Sequence, residues 1–227
     1  MLDPQSPFVA IIPGFNEAQT IGPVIRTIYD SGLFRDVIAV LDGSTDQSPS
    51  IAKSSGANVI LHSPKRQGKG MAMRQGARQS TAPWLFFFDA DLLGLTSDHI
   101  HALIEPIKND ELDMVVGLRD RGSFLTWLEQ YLPLIGGERI VRREIFEAVP
   151  DRFLQGYRVE TALNMYCRSK GLRVGTRPLL ELHIRRKMQK LGFWKGAQAY
   201  LKMTYEMLDA WWLVRKAMKK IDKTTKT

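Results

Sequence analysis

Short apolar runs alternate with amphipathic stretches along the first half of the chain. The runs predict buried strands because almost all of their residues are apolar and polar turn residues follow them. They cover residues 8–12, 37–41, 57–61, 84–88 and 113–117. Between them, the spacing of apolar residues predicts helices over residues 21–28, 48–53 and 71–79. This order predicts an α/β fold with a mostly parallel central sheet flanked by helices.

Polar residues follow three of these strands, at positions 13–17, 42–46 and 89–91. The carboxyl ends of parallel strands meet at one edge of a sheet, where open α/β folds bind ligands. Asp89 and Asp91 lie one residue apart, so they can offer oxygen ligands to a divalent cation that holds a diphosphate. The same Asp-x-Asp spacing is also common in turns that bind no metal. The spacing alone is compatible with both interpretations.

Four segments at this predicted edge together resemble glycosyltransferase family 2, which has the GT-A nucleotide-diphospho-sugar transferase fold. They are Ile-Pro-Gly-Phe-Asn-Glu at 12–17, Leu-Asp-Gly-Ser-Thr-Asp at 41–46, Gly-Lys-Gly at 68–70 and Asp-Ala-Asp-Leu at 89–92. The resemblance is specific over residues 8–120 and continues more weakly to residue 205. It implies a metal-dependent hexosyltransferase that uses a UDP- or GDP-sugar and Mg²⁺ or Mn²⁺.

Two branches of the family are similar to the chain, and they differ in the acceptor. One contains the polyprenyl- (dolichyl-) phosphate hexosyltransferases. The other contains the glucosyl-3-phosphoglycerate synthases, which residues 136–139 and 141–144 also resemble. We favour polyprenyl phosphate as the acceptor, with 3-phosphoglycerate as the alternative.

The resemblance also implies roles for individual residues. Asp91 would bind the metal, with Asp89 and His183 as further ligands. Asp91 and Glu160 would be catalytic, Glu160 as the general base for a hydroxyl acceptor, whereas an anionic phosphate acceptor needs no base. Alternatively, Glu160 faces solvent in the first turn of a helix. The residues implied for nucleotide-sugar binding are Pro13, Phe15, Asn16, Glu17, Asp42, Lys69, Asp89 and Ala90.

One position departs from the family pattern. The family usually has two residues, commonly both acidic, before Gly-Ser-Thr-Asp, whereas this chain has Leu41 and Asp42. Either the first acidic residue has become Leu41, or one residue is deleted and Asp42 stands for it. The resemblance implies that a carboxylate here accepts a hydrogen bond from the nucleotide base, and Asp42 is the remaining candidate.

The second half of the predicted catalytic domain should bind the acceptor. Gly137 would let the backbone approach a ligand closely, or would form a tight turn into a helix predicted over residues 139–146. Residues 119–122 predict a polar loop, and residues 179–184 a strand that carries His183. Arg185 and Arg186 would hold an acceptor phosphate through forked hydrogen bonds, or would form a solvated basic turn.

Charge divides the 227-residue chain near residue 182. The net charge is +8, and residues 183–227 carry twelve basic and three acidic side chains. We predict a catalytic domain over residues 1–182, with a donor half at 8–120 and an acceptor half at 121–182, and a basic, aromatic-rich helical extension over 183–227. The extension would pack on this domain or on a second subunit, as in a homodimer, or would bind an anionic membrane surface. A nucleic-acid partner is not expected.

Cysteine content and hydropathy indicate the compartment. The lone Cys167 excludes an intrachain disulfide framework and is expected to be buried. The N-terminus has no apolar signal segment, and no run of apolar residues is long enough to cross a membrane. These features predict a cytoplasmic protein, with peripheral attachment to the cytoplasmic face of a membrane as an option.

Two other classes of function are compatible with parts of this pattern. A nucleotidyltransferase that makes sugar nucleotides also needs a metal, but it would normally have a basic, glycine-rich loop after its first strand. A non-catalytic module that binds sugar nucleotides would explain Leu41 in the usually acidic position. The transferase explains more of the motifs than either alternative.

Overall fold

A computed structural model describes residues 1–119, 136–154 and 158–184. The predictions for Arg185, Arg186 and nearly all of the C-terminal extension therefore lie outside the described residues. So does most of the polar loop that the sequence predicts over residues 119–122.

Strands and helices alternate in the predicted order through the first half of the chain. The strands are β1 (Phe8–Gly14), β2 (Asp36–Asp42), β3 (Val59–Ser63), β4 (Trp84–Phe87), β5 (Leu92–Leu93), β6 (Met114–Arg119), β7 (Arg139–Arg142), β8 (Val174–Leu179) and β9 (His183–Ile184). The helices are α1 (Ile21–Asp30), α2 (Ser48–Ser54), α3 (Lys69–Ala77), α4 (Ser97–Lys108), α5 (Arg143–Glu147) and α6 (Arg158–Ser169), with a 3₁₀ turn at Asp151–Phe153.

The described residues contain a seven-stranded sheet in the order β3-β2-β1-β4-β7-β6-β8. Only β7 runs antiparallel to its neighbours in this sheet. The strand order changes direction at β1, because β2 and β3 lie on one side of it and β4 lies on the other. Ligands of open α/β sheets bind outside the carboxyl ends of the strands at such a point. The predicted α/β fold class is confirmed.

Helices cover both faces of the sheet. Strand β1 shows why, since Ala10 and Ile12 pack with the helices α1 and α4, whereas Val9 and Ile11 pack with α3 on the opposite face. Strands that are apolar on both sides must be covered on both sides. Cys167 belongs to the second of these layers, and burial raises the pKa of its thiol to about 11, as expected for a packing residue.

Two predictions of secondary structure were wrong in detail. Residues 139–142 form the strand β7 rather than the start of a helix, because Ile140 and Val141 fill the two faces of the sheet between β4 and β6. The predicted strand over 179–184 is broken at Glu181, whose φ of 61° is a left-handed turn conformation. Its last two residues form β9, which pairs with β5 instead.

The pairing of β5 with β9 makes a small antiparallel ribbon beside the main sheet. Leu92 lies opposite Ile184, and Leu93 lies opposite His183. Leu92 is buried, whereas Leu93 and His183 are exposed, so the two faces of the ribbon differ. None of the described helices is both long and apolar enough to cross a membrane.

Gly70 provides a test of how tightly α3 packs. A Cβ atom at this position would overlap the backbone carbonyl of Leu154, which cannot move aside as a side chain can. In an open helix, Gly→Ala would stabilise the protein by about 1 kcal/mol. We expect Gly70→Ala to destabilise it by about 1–3 kcal/mol, measured by urea unfolding. A gain in stability would show that α3 is not held against Leu154.

Candidate active site

A lysine bridges two carboxylates at the carboxyl edge of the sheet. The Nζ atom of Lys69 lies 2.7 Å from Oδ1 of Asp89 and 2.9 Å from Oε1 of Glu160. Lys69 begins α3, Asp89 follows β4, and Glu160 lies in the first turn of α6. Glu160 is 5% exposed, so the alternative that it faces solvent is wrong. The fold therefore brings together three of the predicted site residues, which are far apart in the chain.

Arg119 joins the same carboxylate from the other side. Its Nη2 lies 2.6 Å from Oδ2 of Asp89, and its Nε lies 2.6 Å from Oε2 of Glu138. Sequence reasoning placed Arg119 in a polar loop and gave Glu138 no role. Both lie at this edge because β6 ends at Arg119 and the antiparallel β7 begins directly after Glu138. A charged residue at the end of an apolar strand was the signal that could have identified Arg119.

Burial and charge oppose each other in this cluster. Burial alone would lower the pKa of Lys69, but Asp89 and Glu160 outweigh it, so the pKa is raised. Burial would raise the pKa of Asp89, but Lys69 and Arg119 hold it well below its usual range. Burial prevails at Glu138, whose pKa is raised although Arg119 pairs with it.

Arg139 adds a third buried cation. Its guanidinium is fully buried, donates from Nη2 to the carbonyl of Gly136 at 2.9 Å, and has a pKa that burial lowers. The negative charges of Glu160, Asp89 and Glu138 act against this lowering. Nearby opposite charges reduce the cost of burying each charged group.

Gly137 lies directly against this cluster. A Cβ atom there would overlap both the carboxylate of Asp89 and the guanidinium of Arg119. In this structure, the close approach that the sequence predicts at Gly137 is made by these two side chains. Its proposed contact with an acceptor stays a prediction.

Asp91 directly precedes β5, and His183 is the first residue of β9. In the β5–β9 ribbon, His183 lies opposite Leu93. Burial disfavours the charge of Arg119, but Glu138, Asp89 and also Asp91 raise its pKa, which indicates that Asp91 is close by.

These positions bear on the metal site that the sequence predicts. Among the described residues, no group of three or more His, Cys, Asp or Glu side chains forms a metal cage. Asp89 already pairs with two cations, which makes it a poor metal ligand here. Asp91 and His183 stay predicted ligands, for an arrangement in which few protein ligands share a divalent cation with substrate phosphates.

The loops after β1 and β2 are tied to each other. The backbone N–H of Asn16 donates to Oγ of Ser44 at 3.1 Å, and Oδ1 of Asn16 accepts from the N–H of Thr45 at 2.8 Å. Asn16 has a φ of 55°, a conformation that asparagine tolerates better than most residues. The N–H of Glu17 donates to Oγ of Ser48 at 2.9 Å. These motif residues shape the edge, whatever else they bind.

The other predicted donor-binding residues differ in accessibility. Pro13 is buried in β1, and Ala90 is 3% exposed and packs against Gly14. Phe15 is half-buried, and the guanidinium of Arg66 lies 4.2 Å from the centre of its ring. The carboxylate of Asp42 is buried and accepts from the backbone of Gln67 and Gly68.

The chain matches the model of the family named Glycosyl transferase family 2 over residues 9–173. It belongs to glycosyltransferase family 2. The glycosyltransferase AglJ of Haloferax volcanii is 30% identical over 181 residues, which cover 75% of this chain and 56% of that protein. The glucosyl-3-phosphoglycerate synthase of Mycolicibacterium smegmatis is 27% identical over 187 residues, covering 67% of this chain and 61% of that enzyme. This family 2 member thus spans little more than half the length of these relatives.

Solved structures show the same fold. The glucosyl-3-phosphoglycerate synthase of Mycobacterium tuberculosis with phosphoglyceric acid has a TM-score of 0.71 at 24% identity, covering 89% of this chain and 79% of that chain. The complex of that enzyme with Mn²⁺, uridine diphosphate and glucosyl-3-phosphoglycerate has a TM-score of 0.69 at 25% identity, with the same coverage. The GT-A fold that the resemblance implied is confirmed.

Replacing Asp89 tests the charge cluster. Asp89→Asn leaves Lys69 and Arg119 without their shared carboxylate, so we expect a loss of about 2 kcal/mol or more in unfolding free energy at pH 7. The folded pKa of Asp89 lies below the value of about 3.9 in an unfolded chain. Its contribution is therefore complete above that pH and is lost as the pH falls below it.

The difference between the wild type and Asp89→Asn should then shrink between pH 5 and pH 3, measured by urea unfolding. The control is Asp30→Asn, which changes an exposed carboxylate at the end of α1. A difference that stays constant with pH would contradict the ion pairing of Asp89.

Proposed function

We propose that this family 2 member transfers a hexose from a nucleotide-diphospho-sugar to a phosphate-bearing acceptor, with the help of Mg²⁺ or Mn²⁺. The observation that carries the proposal is the Lys69–Asp89–Glu160 cluster, in which Arg119 also pairs with Asp89 and feels the charge of Asp91. It lies at the carboxyl edge of the sheet, beside the point where the strand order changes direction. The match to the family over residues 9–173 supports the reaction class.

Asp91 and His183 are the residues that would hold the cation. When bound there, Mg²⁺ or Mn²⁺ would neutralise charge on the departing diphosphate. The complexes of the Mycobacterium tuberculosis enzyme with Mn²⁺ or Mg²⁺ and uridine diphosphate support this choice of cation. The preference of Mg²⁺ for carboxylate and phosphate oxygens agrees with it.

In the reaction, an oxygen of the acceptor bonds to the anomeric carbon of the sugar. The bond from that carbon to the diphosphate oxygen breaks, and its electron pair leaves with the diphosphate. Lys69 would place a fixed positive charge beside that developing negative charge. Oε2 of Glu160 is buried and meets no hydrogen-bond donor among the described residues, so it is available to take the proton of an acceptor hydroxyl.

We propose 3-phosphoglycerate, or a similar small phosphorylated acid, as the first candidate acceptor. The support is the likeness to glucosyl-3-phosphoglycerate synthases in sequence and fold. A hydroxyl acceptor of this kind also needs a general base, and the buried Glu160 would serve as that base. Arg185 and Arg186 stay predicted contacts for its phosphate.

Polyprenyl phosphate is the second candidate, and one observation favours it. Leu93 and Leu180 are 45% and 67% exposed, and they are the large exposed apolar residues of the described chain besides Met1. Leu93 lies opposite His183 on the ribbon, so an apolar surface adjoins the predicted metal site. A lipid chain would cover it.

Asp91→Asn and His183→Ala test the metal role. Removal of either ligand should lower kcat at least about 100-fold, because several kcal/mol of transition-state stabilisation are lost. EDTA should abolish wild-type activity, and Mn²⁺ should restore it. The control is His101→Ala, an exposed histidine on α4. Full activity of Asp91→Asn would remove the metal site from the proposal.

Glu160→Gln separates the two acceptors. Transfer to 3-phosphoglycerate should fall about 100-fold or more without a general base, whereas transfer to polyprenyl phosphate should change much less. Radiolabelled UDP- and GDP-sugars with each acceptor provide the assay. The double variant Leu93→Ser with Leu180→Ser should raise KM for the lipid acceptor only.

Two results would place the chain in another class. Release of pyrophosphate from a nucleoside triphosphate and a sugar phosphate would indicate a nucleotidyltransferase. Binding of a sugar nucleotide without transfer to any acceptor would indicate a non-catalytic module.

A further inference from the structure

Both carboxylate oxygens of Asp42 accept hydrogen bonds from the protein backbone. The residue is 4% exposed. Oδ1 accepts from the backbone N–H of Gln67 at 2.8 Å, and Oδ2 accepts from the N–H of Gly68 at 2.6 Å and more weakly from that of Gln67 at 3.0 Å. Hydrogen bonds from N–H groups to a charged carboxylate are among the stronger ones in proteins.

The donors of these bonds belong to a turn that only glycine makes easily. Gly68 has a φ of 102° and precedes the first residue of α3. Two successive N–H groups at the start of a helix form a concave site that attracts anions. In many nucleotide-binding proteins a phosphate takes such a place. Here the carboxylate of Asp42 takes it.

The neighbouring residues hold the loop in the same position. A Cβ atom at Gly43 would lie 2.9 Å from the backbone nitrogen of Arg66, so the loop crosses directly over Gly43. The guanidinium of Arg66 then lies over the ring of Phe15. Lys69 comes one residue after Gly68 and reaches Asp89 and Glu160 from there.

We propose that Asp42 is a positioning residue, which anchors the turn at Gln67 and Gly68 and so places Lys69 in the cluster, and that it does not recognise the nucleotide base. A carboxylate whose two oxygens accept from the protein backbone is poorly placed to accept from a base. The turn that it fills is likewise closed to the phosphates of the donor. The negative charge of those phosphates is then met by Lys69 and by the cation that Asp91 and His183 would hold.

The consequence for donor binding rests on the proposed function, and it can be tested with three ligands. We would measure Kd for UDP, GDP and ribose 5-diphosphate, which has no base, in the presence of Mn²⁺ by calorimetry. The variants are Asp42→Ala, Asp42→Asn and the control Asp36→Ala, which removes a carboxylate at the opposite end of the same strand.

Asp42→Ala should weaken all three ligands by a similar factor, about 10-fold or more, because Lys69 loses its fixed position. Asp42→Asn keeps one acceptor oxygen and should lie between Asp42→Ala and the wild type. Asp36→Ala should leave every Kd unchanged. A loss confined to one base, with ribose 5-diphosphate unaffected, would overturn the proposal in favour of base recognition. A lower melting temperature with unchanged Kd values would overturn it in favour of a purely structural role.

Amide hydrogen exchange tests the anchor without any nucleotide. In Asp42→Ala, the amides of Gln67 and Gly68 should exchange at least about 10-fold faster than in the wild type, and those of β1 should not change. Unchanged exchange at both amides would refute the anchor even if donors bind. If instead the wild type binds none of the three ligands but the exchange result holds, the proposed function fails and the anchor stands.

Discussion

The site depends on one carboxylate that two cations share. Asp89 is held between Lys69 and Arg119 at hydrogen-bond distance, and each of these cations reaches a further carboxylate. These ion pairs join five charged side chains into one mostly buried cluster. Because a buried charge is costly without its partner, the segments that carry these residues are constrained to meet in one arrangement.

That arrangement explains why distant segments converge on a single edge. The cluster draws on residues after β4, at the end of β6, before β7 and at the starts of α3 and α6. The reversed direction of β7 is essential to this, because it brings Glu138 and Arg139 to the edge where the parallel strands end. A fully parallel sheet would have placed both residues at the opposite end.

Much of the fold could be predicted from the sequence, because apolar runs and turn residues identify strands and their ends within short stretches of the chain. The order of the first four strands along the chain is confirmed. Lys69, Asp89 and Glu160, which were predicted separately as site residues, lie together in the structure. The strand β7 was missed because its four residues, two of them arginines, are too few to show a periodic pattern of apolar residues. Their pairing with β4 and β6 stabilises them as a strand. Glu138 was missed for a related reason, since ion pairing between distant residues leaves no pattern in the sequence. Arg119 had a signal, because it is a charged residue at the end of an apolar strand.

The resemblance to family 2 predicted a function, which the periodicity of apolar residues alone could not do. It did not establish the role of every side chain at the site. It implied that Asp42 accepts a hydrogen bond from a nucleotide base, which stays a prediction. In the structure, the carboxylate of Asp42 accepts hydrogen bonds from backbone N–H groups. Arg185 and Arg186, the predicted contacts for the acceptor phosphate, lie outside the described residues.

The ribbon of β5 and β9 determines the position of His183. Only two residue pairs fix its register, and a slip by one residue would turn His183 to the opposite face of the ribbon. If His183 binds a cation as proposed, the affinity for that cation depends on the alignment of these two very short strands. A cation bound there would in turn hold the end of the described chain against its middle.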